Sequence, residues 1–413
     1  MIKHICKLVW NRKRINFLIT LEIFISFLVV FAVLVMTVYY ADNYRQPLGF
    51  DYQDVWNVQI GVIDRSGPQE KAERPQQIEK FKRVLAAVRE FGEVESVAGA
   101  GNVPYSNGNW TNCTDIKGKP VCYWGNSVTD DFNDVFRVNV VRGRWFGRED
   151  DGASYKPVVI NKQLARDRFE TEDVIGKPLN PREEKKPGDK QEDQNEEYVE
   201  ERIIGMIDDF RKNGEFAELK GYAIFRNSLL LEDDRPSRSL AVRVQPGTTV
   251  AFEEKLLKRL QAEASDWSFT IKPIVQMREE MNQKSIVPMT AFAVVAGFLM
   301  IMVGLGLIGV LWQSVTQRIK EIGLRRAKGA TKRRIHNQIL GELLVITTCG
   351  ALVGVLVVVQ FPLLDVMGFA SPKVYAYATV ISLVLIYALT AVCGLYPSWM
   401  ATKVHPAEAL HYE

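Results

Sequence analysis

The apolar positions of this 413-residue chain follow two patterns. In four places they run unbroken, over 15–40, 286–315, 339–364 and 374–400. These runs hold only two of the chain's 52 basic and 49 acidic side chains, Glu22 and Glu342. Each exceeds the roughly 20 residues that carry a helix across about 30 Å of hydrocarbon. No water is present there to satisfy backbone groups, so a single segment must be helical, and the pattern predicts four transmembrane helices. The first run is too long for the apolar part of a secretory signal, and residues 36–42 offer no small-x-small cleavage site. It is read as an uncleaved span.

Between the first two runs, over 41–285, the apolar residues recur at shorter periods. Ile78, Phe81, Val84, Leu85, Val88 and Phe91 share one face of a helix over 76–91, and Phe252, Leu256, Leu257 and Leu260 do so over 252–262. Strand-like runs occupy 55–63, 94–98, 157–160, 202–207, 223–225 and 240–244. Helices interspersed with short strands predict a large α+β domain between helices 1 and 2. Residues 182–201 carry nine acids and four bases and almost nothing apolar, and so read as a solvated loop inserted in that domain.

Composition changes the picture only when it is divided by topology. The net charge is +3. Residues 1–14 hold five bases and no acid, and 316–338 hold eight bases and one acid, whereas the turn 365–373 holds one of each. The positive-inside rule therefore places 1–14, 316–338 and the tail 401–413 in the cytoplasm, and 41–285 and 365–373 outside. The outer segment carries 37 bases and 43 acids, so the near-neutral total hides two opposite charges. The same division sorts the cysteines: only Cys113 and Cys122 lie outside, close in sequence, and they are predicted to form a disulfide.

Catalytic signatures are missing. The sequence has no GxxxxGK[ST] phosphate loop and no GxSxG elbow. His4, His336, His405 and His411 have no metal-ligand spacing to cysteine or acidic partners. No catalytic, cofactor-binding or metal site is expected, and no nucleic-acid partner.

The cytoplasmic segment 316–338 is the most informative part. Ile319, Ile322, Leu324, Ala327 and Ile335 are interleaved with its bases, which gives amphipathic helical turns broken at Gly323 and Gly329. Such turns at a membrane face suit anionic lipid or a protein surface. Arg318, Glu321, Ile322, Gly323, Arg325, Arg326, Ala327, Gly329 and Ala330 resemble the R-x-x-E-I-G-x-R-R-A-x-G-A signature of FtsX-like permeases, which belong to the MacB type of ABC transporter. Tyr396-Pro397, Ala401 and Pro406–Leu410 resemble that family's C-terminal signature. In the outer segment, Arg142–Phe146 resembles its G-R-x-F turn, while Pro157–Asn161 and Ile203–Ile207 resemble its core strands.

The resemblance implies a MacB-type periplasmic core between helices 1 and 2, in a bacterial inner membrane. It implies a permease dimer, homo- or heteromeric, served by ATPase subunits that bind ATP and Mg. MacB carries a fused ATPase domain and this sequence shows none, so a separate ATPase subunit is expected to dock on the nine motif residues just named. Closure of that ATPase would be passed along the spans to the outer domain, for export or efflux, with a periplasmic adaptor or hydrolase as a further partner. Glu22 and Glu342 are candidates for passing that motion, with pairing to nearby arginine as the simpler reading. Gly350-x-x-x-Gly354, with Gly304, Gly306 and Gly309, permits close helix packing, between two subunits or within one. Two alternatives stay open: a regulator of cell-wall hydrolases, and a membrane receptor or anchor without transport. His411 stands where the family's tail often has arginine.

Overall fold

The computed structural model describes residues 13–61, 68–108, 110–116, 119–180, 199–230, 234–364 and 370–401. Most of the N-terminal segment, of the acidic loop and of the C-terminal tail lies outside these residues, as do turn residues 365–369 and the side chain of Arg326. In chain order, α1 (Lys13–Tyr44) is followed by β1 (Val55–Gly61), α2 (Pro68–Arg89) and β2 (Val94–Ala100). The hairpin β3 (Trp110–Ile116) and β4 (Lys119–Val128) comes next, then α3 (Phe132–Phe136), β5 (Val140–Gly143), β6 (Tyr155–Asn161) and α4 (Lys162–Phe169). β7 (Glu200–Ile207), β8 (Gly221–Arg226), β9 (Ser239–Val244), α5 (Val250–Glu263) and β10 (Ser268–Pro273) follow. The chain continues through α6 (Ile274–Gln317), α7 (Ile319–Ala327), α8 (Lys332–Val358), α9 (Gln360–Leu363) and α10 (Pro372–Ala401). It divides into two compact units, Asn43–Lys284 and the segments that flank it.

Within Asn43–Lys284 the strands form one sheet in the order β10-β1-β9-β2-β4-β8-β6-β7-β5, with β3 paired to β4. Its first four strands, with α2 and α5, make two β-α-β units. β9 lies between β1 and β2, β1 lies between β9 and β10, and all neighbours are antiparallel. This is the split βαβ, or ferredoxin-like, arrangement. Residues 101–238 are inserted between its second and third strands.

The period-2 alternation of β1 sends Trp56, Val58 and Ile60 to one core and Val55 to another. The first core receives the helix faces read from the sequence: Ile78, Phe81, Val84, Leu85 and Val88 from α2, and Phe252, Leu256 and Leu260 from α5. In the inserted lobe β4 runs parallel to β8 and β6 parallel to β7. α4 covers those strands through Leu164 and Ala165. Its start is fixed by Asn161, whose Oδ1 accepts from the backbone N of Leu164 at 3.0 Å and of Tyr222 at 2.8 Å.

Cys113 and Cys122 are register partners on the β3–β4 hairpin and are joined by a disulfide, with Cα atoms 4.0 Å apart. One boundary changes. The solvated loop expected over 182–201 ends earlier, because Glu200 and Glu201 pair with Tyr155 and Lys156 as the first residues of β7. The ladder recruits them despite their charge.

A charged side chain is buried deeper in this unit. Lys212 is 2% exposed, and its Nζ donates to the carbonyls of Ser106 (3.2 Å) and Gly108. Burial pulls its pKa down to about 8, against about 10.4 in an unfolded chain. Below pH 8 both states hold the proton, and the fold bears the full penalty of the buried charge. As pH rises from 8 towards 10.4 the folded state sheds the proton first, so stability rises over that window. The stability of the native chain relative to Lys212→Met is expected to rise by roughly 2–3 kcal/mol between pH 7 and pH 10. Thermal melts across that range measure it; a constant difference would mean that Lys212 titrates like an exposed lysine.

Four helices are long and apolar enough to cross a membrane: Phe17–Tyr44, Ile274–Gln317, Lys332–Leu363 and Pro372–Met400; the second begins within the α+β unit, which runs to Lys284. The large α+β unit thus lies between the first and second of them in the chain. Buried hydroxyls of Ser26, Thr347, Ser382 and Thr390 donate to carbonyls four residues back, which satisfies them without leaving their own helix. Gly350 and Gly354 of α8 lie against α1: a Cβ at Gly350 would meet the Thr20 carbonyl at 2.9 Å, and one at Gly354 would enter the ring of Phe27. That Gly-x-x-x-Gly face is therefore used within one chain, not at a subunit contact. Gly304 faces Cys393 and Leu389 of α10, while Gly309 has nothing within 4 Å.

Candidate functional site

The segment between the second and third spans folds into α7 and a tight turn. Ile322 of α7 is buried with Val315 of α6 and Ile335 of α8, and Ala330 and Ile339 pack against them. This small apolar knot takes two of the five interleaved positions, Ile322 and Ile335, and Ile319 is half-buried. The other two point out: Leu324 is 49% exposed and Ala327 is exposed.

The end of α7 depends on its glycine. Gly329 has φ +91°, a left-handed conformation that an L side chain strains to adopt. It places the backbone N of Ala330 3.0 Å from the carbonyl of Arg325, the six-to-one bond of a Schellman cap. Thr331 then caps α8, its Oγ1 accepting from the backbone N of Arg334 at 3.4 Å. The motif's x-G-A and the Thr331 that follows it are thus a helix stop and a helix start.

A polar chain ties α7 to α8. Arg318 donates to Glu342 Oε2, with side chains 15% and 11% exposed. Gln338 Nε2 donates to the other oxygen of Glu342 at 3.0 Å, and Gln338 Oε1 accepts from Arg325 at 2.7 Å. Arg325 also donates to Glu321 Oε1 at 2.6 Å. Five side chains alternate donor and acceptor, so an acid inside an apolar run is matched rather than stranded. They border a cavity of about 50 Å3, room for a water and too small for an organic ligand. The arrangement is a joint between helices.

The structure therefore brings together Arg318, Glu321, Arg325 and Glu342, and places Ile322 and Gly323 inside and Ala327 and Gly329 on the surface. Glu22 is elsewhere: its carboxylate on α1 fills the space that a Cβ at Gly306 of α6 would need. Gln338 was missed by sequence reasoning, although its place four residues before Glu342 puts both on one face of α8. Among the described residues no group of three or more His, Cys, Asp or Glu side chains could hold a metal ion.

The sequence model of the MacB-like periplasmic core domain matches residues 17–259, more than half of the chain, and that of the FtsX-like permease C-terminal region matches 293–406. The chain belongs to the MacB/FtsX-like ABC permease family. The C-terminal match contains the whole polar chain from Arg318 to Glu342, and the core match contains both halves of the split sheet up to α5. A macrolide export ATP-binding/permease protein MacB from Bdellovibrio bacteriovorus is 26% identical over 376 residues, covering 86% of this chain and 52% of that protein. The chain thus spans about half the length of that relative. The Bacillus subtilis ABC transporter permease YvrN is 24% identical, with 69% of each chain covered. Among solved structures, the periplasmic region of MacB from Actinobacillus actinomycetemcomitans superposes with a TM-score of 0.36 at 14% identity, covering 56% of this permease and 94% of that chain.

Proposed function

We propose that this permease is the membrane subunit of an ABC assembly in a bacterial cytoplasmic membrane, with both termini cytoplasmic. A separate ATPase, which holds the ATP and Mg, docks on α7 and its turn. A second permease subunit completes the pair, and the motion of the ATPase reaches the α+β unit for export or efflux. The observation that carries this reading is the build of α7: braced to α6 and α8 by the Ile322 knot and the Arg318–Glu342 pair, it leaves Leu324 facing outward amid basic residues. An exposed apolar side chain on a braced cytoplasmic helix suits a protein partner better than water.

The test is co-expression with candidate ABC ATPases from the same bacterium, followed by co-purification and measurement of permease-stimulated ATP hydrolysis. Leu324→Asp is expected to lose both, cutting stimulated hydrolysis by about tenfold or more, while the variant elutes and melts like the native chain. Unchanged co-purification and stimulation would move the docking site away from α7.

A further inference from the structure

The inserted lobe carries a groove that the family reading does not use. It lies among β3, β4, the segment preceding β6, the end of β8 and residues 234–238, and it encloses about 620 Å3. Pockets for small organic molecules run from roughly 300 to 1,000 Å3.

One wall is Trp110. It stands opposite Gly125 in the β3–β4 register, and a Cβ at Gly125 would meet its ring at 2.5 Å. The glycine lets the indole lie flat on β4, and Phe225 flanks it with ring centroids 5.2 Å apart. One face of the ring is seated, yet 46% of the residue is exposed and lines the groove. A tryptophan held in place with a free face is a stacking platform.

The floor holds two buried polar atoms with no hydrogen-bond partner among the described residues, Asn227 Oδ1 and Ser237 Oγ. Each residue is only 5% exposed and lines the groove. Asn227 is oriented by its Nδ2, which donates to the Arg235 carbonyl at 2.8 Å. Both side chains make the floor of the groove polar.

Charge selects the class of molecule. The groove's acids already have partners: Asp150 pairs with Arg144, Asp151 pairs with Arg226 at 2.7 Å, Glu201 accepts from Asn180, and Asp234 accepts from Ser228 and from the backbone N of Leu230. Lys156 and Arg238 line the groove and make no ion pair among the described residues. The β6–β8 register sets Val158 opposite Phe225, and extending it brings Lys156 level with Asn227. An uncommitted cation thus lies level with the polar floor of the groove.

We propose that this groove binds a small anionic molecule with a planar ring, the ring on Trp110 and the anionic group at Lys156 and Arg238. The site stands independently of ATPase docking.

The test uses the full chain in lipid nanodiscs, with empty nanodiscs as the control. The probes are 1-naphthalenesulfonate, neutral 1-naphthol and cationic 1-naphthylmethylammonium, followed by ligand-observed saturation-transfer NMR. The sulfonate is expected to bind saturably and to outcompete the ammonium. Trp110→Ala and the pair Lys156→Glu with Arg238→Glu should each weaken it by about tenfold or more, whereas Trp110→Phe retains most of the affinity. The proposal falls if the sulfonate shows no saturable binding up to millimolar concentration. It falls equally if the ammonium binds as well, or if the variants bind like the native chain.

Discussion

Glu342→Ala is expected to destabilise the membrane unit by about 3 kcal/mol and, if an ATPase docks on α7 as proposed, to uncouple the two. The magnitude follows from the partner left behind. Arg318 is only 15% exposed and shares Glu342 with Gln338, and removing one member of a largely buried ion pair typically costs about 3–5 kcal/mol. The lower end applies because both side chains keep some contact with solvent. α7 would keep its apolar knot and the Arg325–Gln338 bond but lose the buried Arg318–Glu342 tie, so stimulated ATP hydrolysis should fall more steeply than co-purification. A double-mutant cycle separates the pair from its surroundings. Arg318→Met alone should also be harmful, and the double variant Arg318→Met with Glu342→Leu should melt closer to the native chain than Glu342→Ala does. If the double variant also restores stimulated hydrolysis, the pair is structural and transmits nothing. If it restores stability but not stimulation, the charged tie carries the coupling.

The pair also marks what the sequence alone can and cannot reveal. Glu342 was legible as an anomaly, an acid within an apolar run, and Arg318 as part of a basic motif. Nothing in a periodicity joins residues 24 positions apart, so the bond between them needed the fold. The four spans were legible because hydrocarbon requires long apolar runs and admits few exceptions. α2 and α5 were legible through a 3.6-residue period, which β1 and β9 echoed at period two. The hairpin β3–β4 was not: WTNCTDI and KPVCYWGNSV interleave threonine, asparagine and lysine with their apolar residues without a clean period of two. α4 was missed because KQLARDRF buries little beyond Leu164 and Ala165, although its cap Asn161 was in plain view. The start of α6 at Ile274 was hidden for a similar reason, since residues 274–285 are polar and break the apolar run that gives the helix away. The ferredoxin-like topology could not be read at all. Its two halves are separated by 101–238, and strand order is a long-range property that no local pattern encodes.

Arg243→Ala is expected to cause the largest loss of stability in the α+β unit, about 4 kcal/mol, because the side chain it removes is the largest among those buried to within 2%. Arg243 lies on β9 and reaches three backbone carbonyls: Val135 on α3 at 2.7 Å, Gln53 at 3.1 Å and Asp51 at 3.3 Å. The backbone N of Asp51 in turn donates to the Phe136 carbonyl at 2.8 Å. One guanidinium thereby joins the entry to β1, a helix of the inserted lobe and a central strand of the split sheet. Alanine would leave a cavity and remove the donors to these carbonyls together, and the two effects can be told apart. Arg243→Met fills most of the volume and donates nothing, whereas Arg243→Lys donates at one point only. If hydrogen bonding dominates, the order of stability is native, Lys, Met, Ala, with methionine recovering less than half of the loss. If packing dominates, methionine approaches the native melting temperature and lysine, with its buried charge, falls below it. Limited proteolysis adds a spatial readout: with the carbonyls of Asp51 and Gln53 released, cleavage should appear first in residues 45–54, before any cut in β9. Early cleavage in β9 instead would mean that the variant unfolds as a whole and that Arg243 holds no particular junction.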